Sequence, residues 1–345
     1  MKARSILIGL LAGLLFGIAT PLSKIILSQL NSFQLAGLLY LGTGLAFLPY
    51  IIKNRKIEFK ALRKTGRKWY LGGVILCGGI LGPLFLMIGL KAANAMSVSI
   101  WLNMELVATA ILGILFFRDN LDRYSVIGIL LTLCAGIIIS SQESNSGIVS
   151  AIFILLACIS WGFDNHLSAI IDEVSPQTIT FIKGVFGGIT NLTIGMFLNN
   201  WQIHLSYIPA ALLIGVFSYG ISIVLYVTSA QNLGATRSQI LFSTAPFWGI
   251  FAAWIFLGEP LTLIVLISFS ILVLGIIFTN IASHGHIHYH KGMVHIHSHS
   301  HDDGHHNHFH EEYDDNSLNH SHLHEHKEIK HTHKHYPDLH HRHEH

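Results

Sequence analysis

Three polar side chains that could bind an ion or carry a proton follow one another in an otherwise apolar stretch. Asp164, Asn165 and His166 lie in ACISWGFDNHLSAII, residues 157–171. A carboxylate can hold a proton or a cation, an amide can orient a bound group, and an imidazole titrates near neutral pH or binds a metal ion. Glu105 and Lys183 also lie in apolar surroundings. What these five side chains can do depends on the medium around them.

A second set of reactive side chains lies at the C-terminus, where 23 of the 25 histidines occupy positions 284–345. Neutral imidazole binds Zn, Ni, Co or Cu, and histidine-rich tracts are typical of metal binding. We expect this tail, residues 283–345, to be disordered without metal, because it has few apolar residues with which to form a core. A tail that buffers pH or keeps the chain soluble is the alternative. The candidate metal ligands are His284, His286, His288, His290, His295, His297, His299, His301, His305, His306, His308 and His310.

Composition predicts that the chain lies in a lipid bilayer. Hydrophobic residues make up 51% of it and charged residues 12%, with a mean hydropathy of +0.51, whereas soluble domains carry about 25% charged residues. The net charge of +2 gives no reason to expect nucleic acid as a partner. We expect no enzymatic activity and no required cofactor, because neither a phosphate-binding loop nor an HExxH motif is present.

The elements that position these side chains are predicted from apolar runs of about 20 residues, the length that crosses a bilayer as a helix. Because a backbone in lipid must satisfy its own hydrogen bonds, the predicted fold is an all-α integral membrane protein with ten transmembrane helices. The runs are 5–26, 33–52, 69–90, 95–117, 124–140, 148–170, 177–198, 208–228, 238–257 and 262–281.

The distribution of lysine and arginine predicts the orientation of these helices. The segment 53–68, KNRKIEFKALRKTGRK, is strongly basic and is expected to be a cytoplasmic loop. With ten helices, the N- and C-termini are then both cytoplasmic. Lys24 falls near the outer end of the first helix, where we expect its side chain to extend toward the bilayer surface.

This orientation places two opposite charges at one depth. Asp164 lies about 7 Å and Lys183 about 6 Å from the bilayer centre, both on the cytoplasmic side, at 1.5 Å per helical residue. Glu105 falls near the midplane. A charge at the bilayer centre costs at least about 2.5–3.5 kcal/mol, so such residues usually form ion pairs or take part in the function of the protein. We therefore predict that Glu105, Asp164, Asn165, His166 and Lys183 line a substrate or ion pathway. The alternatives are a structural ion pair between Asp164 and Lys183 and a packed histidine at position 166.

The chain also repeats itself. A shift of 140 residues aligns NAMSVSIWLNMELVATAILGILFFRDNLD with GATRSQILFSTAPFWGIFAAWIFLGEPLT, and a shift of 145 aligns LFGIATPLSKII with SWGFDNHLSAII. Residues 1–140 and 147–282 are thus predicted to be two repeats of five helices. Five is odd, so the repeats cross the membrane in opposite directions, an arrangement typical of transporters with alternating access.

The chain resembles the drug/metabolite transporter superfamily, specifically proteins with two EamA repeats, over roughly residues 5–281. The resemblance rests on Phe16-Gly17 and Trp161-Gly162 in the first helix of each half, and on Pro246 followed by Leu257-Gly258-Glu259-Pro260-Leu261. The first half departs from the second pattern, with Leu106 in place of the proline and Arg118-Asp119-Asn120 in place of Gly-Glu-Pro. The resemblance implies a ten-helix transporter of small molecules in the inner membrane.

Three functions remain open at this point. The first is a gradient-driven secondary transporter of a small molecule, with Glu105 and Asp164 as proton carriers and a metal-binding cytoplasmic tail. The second is a transporter of divalent transition metal (Ni, Co or Zn) itself, and the third is a membrane-anchored metal buffer without transport. The expected partners are the lipid bilayer, a small-molecule substrate and divalent metal ions, and a homodimer is left open.

Overall fold

The computed structural model describes residues 2–66, 68–117, 123–171, 174–233 and 241–281, together with 284–290, 293–299, 320–326 and 329–335 of the tail. Two compact units are distinguished. One includes Met1–Ala282 and the other is Ser283–Tyr336.

The described part of the first unit is helical. Its helices are α1 (Lys2–Ile26), α2 (Ser32–Lys64), α3 (Lys68–Val74, π-helical Ile75–Leu81 and Gly82–Ala92), α4 (Ala95–Trp101, Met104–Leu112 and π-helical Gly113–Phe117), α5 (Arg123–Ser140), α6 (Asn145–Ile170), α7 (Pro176–Leu198), α8 (the 3-10 turn Leu205–Tyr207, Ile208–Ile214, π-helical Gly215–Ile221 and Ser222–Leu233), α9 (Ala245–Leu257) and α10 (Leu263–Ile281).

The lengths of these helices fit a membrane protein. Among the described residues, eight helical stretches are long and apolar enough to cross a bilayer, and two shorter apolar helices, Ala245–Leu257 and Leu263–Phe278, follow them. The prediction of ten complete spans is therefore not confirmed. Part of the predicted ninth span, residues 238–240, lies outside the described residues. Large apolar side chains such as Ile137 (71% exposed) and Leu115 (68%) cover the outer surface, as a surface in contact with lipid requires.

Helix α2 continues well beyond the membrane-spanning length. Its 33 residues extend about 50 Å at 1.5 Å per residue. The expected loop at 53–68 is thus helical as far as Lys64, which corrects the prediction. Leu62 near the end of α2 packs against a small buried cluster that includes Val74 and Ile179. An apolar contact of this kind can hold a basic, soluble extension in helical form.

Contacts between the two halves come in matched pairs. Helix α1 packs against α8 and α9, and α6 packs correspondingly against α3 and α4. Helix α2 packs against α8 as α7 does against α3. In addition, α2 packs against α7 and α5 packs against α10, each helix contacting its own counterpart in the other half. Exchanging each helix with the one five places along the chain reproduces the same contacts. The core between the halves therefore has the two-fold character that two repeats would produce.

Irregular helical turns concentrate at this interface. The π-helical segment Ile75–Leu81 of α3 contacts α6 and α7, and Gly215–Ile221 of α8 contacts α1 and α2. Helix α4 is interrupted by a turn at residues 102 and 103, and a turn at 243 and 244 precedes α9. π-Turns often occur at functional sites, and interrupted helices in corresponding halves mark the substrate site of many transporters.

The tail unit contains four strands, β1 (His284–His290), β2 (Met293–His299), β3 (His320–His326) and β4 (Ile329–His335). Strand β1 pairs antiparallel with β4, and β2 pairs antiparallel with β3, as two separate two-stranded sheets. The expectation of a tail without regular structure is therefore not confirmed. Alternation of histidine with other residues is the period-2 pattern of a strand, and this signal was available in the sequence.

Candidate substrate and ion pathway

Asp164 on α6 and Lys183 on α7 form a close ion pair. Lys183 Nζ lies 2.6 Å from Asp164 Oδ2, and the two side chains are only 13% and 6% exposed. The Ser168 hydroxyl donates to the other carboxylate oxygen, Asp164 Oδ1, at 3.1 Å. Both oxygens of the buried carboxylate thus have a donor, as a charge in low dielectric requires. The equal depth predicted for the two charges agrees with this contact.

The π-helical segment of α3 makes room for the pair. A Cβ atom added at Gly78 would overlap the Asp164 carboxyl group, and one added at Gly79 would lie 2.9 Å from the Lys183 carbonyl oxygen. Glycine at these two positions lets the α3 backbone lie directly against the Asp164 carboxyl group and the Lys183 backbone. The ion pair is therefore enclosed between α3 of the first half and α6 and α7 of the second.

Glu105 lies one helix away, directly after the interruption of α4. It is in the first turn of Met104–Leu112, where the partial positive charge of a helix N-terminus favours a carboxylate. Asn165 Nδ2 donates to Glu105 Oε1 at 2.9 Å. Asp164 and Lys183 are near enough for their charges to act on Glu105. The structure thus brings four of the five predicted pathway residues into one polar group.

His166, the fifth predicted residue, faces the backbone of α4. Its Nε2 lies 2.9 Å from the carbonyl oxygen of Thr109, and the residue is 7% exposed. Asn165 Nδ2 also lies 3.5 Å from the Thr109 hydroxyl. Gly162 of α6 is in close contact with the same turn of α4, since a Cβ there would lie 3.2 Å from the Thr109 nitrogen. His166 therefore joins α6 to α4.

An aromatic cluster from both halves lies beside these residues and was missed at the sequence level. The Tyr219 ring contacts Phe16 (5.8 Å between centroids) and Tyr40 (6.0 Å), and Phe242 contacts Phe16 (5.3 Å) and Tyr226 (5.1 Å). Tyrosines inside apolar runs were the available signal, because a buried phenol needs a polar partner.

Tyr40 connects the aromatic cluster to the polar group. It is 5% exposed, and Asp164 and Glu105 are near enough for their charges to act on its hydroxyl. Trp161, which is 6% exposed, lies close to the same hydroxyl. Aromatic faces together with a few convergent polar groups are what small-molecule sites generally offer.

Lys24 does not extend toward the bilayer surface as predicted. Its Nζ donates to the carbonyl oxygen of Leu90, at 3.0 Å, and to that of Ala93. These carbonyls lie at the end of α3, where a helix leaves its last acceptors unpaired and favours a cation. The hydropathy of α1 could not reveal this contact, because the partner carbonyls lie more than 60 positions away along the chain.

Glu259 of the Leu257-Gly258-Glu259-Pro260-Leu261 motif caps the start of α4. Its carboxylate accepts hydrogen bonds from the backbone N–H groups of Ala95 (2.7 Å) and Met96 (2.9 Å). Two charge-assisted hydrogen bonds at a helix N-terminus hold the connection after α9 against the helix that carries Glu105. Asp119, which aligns with Glu259 in the first half, lies outside the described residues.

The predicted metal ligands are only partly placed. His284, His286, His288 and His290 lie on β1, and His295, His297 and His299 on β2. Among the residues whose side chains the structure describes, no three histidine, cysteine or acidic groups come together in a metal-binding arrangement, and the tail side chains are not among those residues. The remaining candidates, His301, His305, His306, His308 and His310, lie outside the described residues.

Comparison with known proteins gives the family. The model of the EamA-like transporter family matches residues 3–141 and, a second time, 148–281. The chain belongs to the EamA-like transporter family. This confirms the resemblance to drug/metabolite transporters drawn from the sequence, and it makes the protein a multi-pass membrane transporter of a small molecule.

The relatives of this EamA protein agree with that conclusion. An uncharacterized transporter of Methanothermobacter thermautotrophicus is 28% identical over 286 residues, which cover 77% of this chain and 82% of the relative. The uncharacterized transporter YvbV of Bacillus subtilis is 24% identical over 289 residues, covering 82% and 93%. A solved crystal structure matches with a TM-score of 0.59 at 14% identity, over 81% of this chain and 97% of that one. This last likeness concerns the fold alone.

Proposed function

We propose that this EamA protein is a secondary transporter that moves a small molecule by alternating access between two inverted five-helix repeats, driven by an ion gradient. The observation that carries the proposal is the polar group of Glu105, Asp164, Asn165 and Lys183, which lies where α3 and α4 of one half contact α6 and α7 of the other. A buried charge on an interface between repeats costs free energy unless it is paired or used in transport.

The arrangement supports proton coupling. Among the described side chains, neutral Asn165 is the hydrogen-bond partner of the Glu105 carboxylate. Its amide can donate to the charged carboxylate and accept from the protonated form through the amide oxygen. The Asp164 carboxylate, by contrast, is held by the Lys183 cation. We infer that Glu105 is the residue that gains and loses the coupling proton, while Asp164 exchanges Lys183 for a proton or for a cationic group of the substrate.

The aromatic cluster gives the substrate site its apolar part. Tyr40, Tyr219 and Phe16 come from helices of both halves and lie beside the polar group. We propose that the substrate binds between these rings and the carboxylates, in the inner membrane, with both termini of the protein in the cytoplasm. The strongly basic residues 53–68 support this orientation, since positive charge is retained on the cytoplasmic side.

The test compares cells that lack the protein with cells that overproduce it or its Glu105→Gln variant. Small-molecule content inside the cell and in the medium, together with total Zn, Ni and Co, is measured in all three. We expect one organic compound to change with the unaltered protein and to remain unchanged with the variant. Uptake of that compound into proteoliposomes should then require a pH gradient. Equal profiles for the unaltered protein and the variant would refute the assigned role of Glu105.

The histidine content of the tail favours a second candidate, a transporter of divalent metal itself. With 23 histidines at positions 284–345, the tail would bind Zn, Ni, Co or Cu on the cytoplasmic side of the membrane. Removal of residues 283–345 separates the two candidates. Because both family matches end by residue 281, the truncated protein should still transport an organic substrate. If the truncated protein reaches the membrane but transports no organic compound, and the unaltered protein carries metal ions into proteoliposomes, the metal is the cargo. A change in cellular metal content alone would also result from a tail that stores metal.

A further inference from the structure

The pairing of the tail strands places histidines opposite one another. In the β1–β4 sheet the register joins His284 to His335, His286 to His333 and His288 to His331. In the β2–β3 sheet it joins His295 to His324, His297 to His322 and His299 to His320. Six of these histidines, at positions 320–335, were not among the candidates drawn from the sequence.

Strand geometry puts the three pairs of each sheet on one face. Successive residues of a strand alternate between faces, so positions 284, 286 and 288 share a face, as do 331, 333 and 335. Residues directly opposite on antiparallel strands have Cβ atoms about 4.5–5.5 Å apart. The other face of the first sheet carries the pairs Gly285–Lys334, Ile287–Thr332 and Tyr289–Lys330, which contain no metal ligand of the imidazole type.

We propose that each cross-strand histidine pair is a binding site for one divalent first-row transition-metal ion, of the Ni, Zn or Cu class. The inference deepens the metal-binding part of the proposed function and rests on it. Two imidazoles at that spacing can reach one ion with metal–nitrogen distances of about 2.0–2.1 Å, and water fills the remaining positions. Neutral nitrogen donors without a thiolate select this class of ion over magnesium or calcium.

Metal binding and strand pairing then depend on each other. A two-stranded sheet in water is only marginally stable by itself. Strands β1 and β4 also lie near opposite ends of the tail sequence, so the entropy cost of closing the long loop between them opposes their pairing. An ion held by one histidine from each strand is a cross-link that offsets this cost.

The test counts nickel ions on the full-length protein in detergent, by equilibrium dialysis against NiCl2 and elemental analysis. Two double variants that each remove two histidines are compared with His286→Ala. The paired variant, His286→Ala with His333→Ala, should lose no more nickel than the single variant, because both residues serve one ion. The unpaired variant, His286→Ala with His297→Ala, should lose about twice as much. Elution of each variant as a single species in size-exclusion chromatography serves as the folding control.

The outcomes separate the two levels of the proposal. If the unaltered protein binds nickel and both double variants lose equal amounts, the register is refuted while metal binding by the tail stands. If the unaltered protein binds no nickel at pH 7, the metal-binding tail fails together with the paired sites. A paired variant that loses twice as much as the single variant would also overturn the pairing.

Discussion

Replacing Lys183 with methionine would leave the Asp164 carboxylate buried, with the Ser168 hydroxyl as its remaining donor. Removing one partner of a buried ion pair costs about 3–5 kcal/mol, whereas replacing both partners by neutral groups is often close to neutral. The side chains are 6% and 13% exposed, so solvent screens neither charge. Lys183→Met and Asp164→Asn should therefore each destabilise the protein by this amount, and the double variant should recover most of the loss.

The measurement is the apparent Tm of the purified variants in one detergent, followed by transport in proteoliposomes. A loss of 3–5 kcal/mol corresponds to a decrease of roughly 6–10 °C at about 2 °C per kcal/mol, the value for larger domains. Lys91→Met is the matched control, because Lys91 is an exposed lysine near the end of α3, and its Tm should change by no more than about 1 °C.

Two results would refute the reasoning about the pair. A double variant as unstable as the worse single variant would mean that the charges do not compensate each other, and single variants with the Tm of the unaltered protein would mean that neither charge is desolvated. The transport assay then distinguishes a purely structural ion pair from one that takes part in transport. A stable double variant that transports normally has lost a structural pair only, and a stable double variant without transport has lost a working one.

Further substitutions test three other contacts. Glu105→Gln should keep the hydrogen bond with Asn165 and the Tm of the unaltered protein, but a pH gradient should no longer accelerate transport. An equal pH dependence in this variant would contradict proton transfer at Glu105. Asn165→Ala should slow transport and leave its pH dependence in place. Glu259→Gln should cost about 1–2 kcal/mol, measured as a lower Tm, because the carboxylate that caps α4 loses its charge and one acceptor. Gly78→Ala should reduce the yield of folded protein in the membrane, since its Cβ would overlap a buried carboxyl group, while Gly72→Ala, with open space around it, should behave as the unaltered protein.

Much of the helical unit was predictable because lipid leaves the backbone few choices. The apolar run at 148–170 became the helix Asn145–Ile170, and depth along two successive helices was enough to pair Asp164 with Lys183. Both predictions use only residue type and a rise of 1.5 Å per residue. They hold because a helix in a bilayer is straight enough, over about 20 residues, for counting to give position.

Features set by distant neighbours were not predictable in this way. The turn within α4 at residues 102 and 103 leaves hydropathy unchanged, so a count of apolar residues passes over it. Lys24 was assigned to the bilayer surface from its position near the outer end of α1. The carbonyls that accept its hydrogen bonds belong to α3, and position along α1 does not reveal them. The extension of α2 to Lys64 was missed because positive charge was interpreted as a loop, although lysine and arginine are good helix formers.

Two of the π-helical segments occupy matching positions in the two halves. They begin at Ile75 and Gly215, a difference of 140 residues, which is the shift that aligns α4 with α9. Since π-helix accounts for well under 1% of residues in proteins, chance is a poor explanation for this coincidence. Each of these wide turns lies against helices of the opposite half, so the interface between the halves has the same irregular backbone on both of its sides.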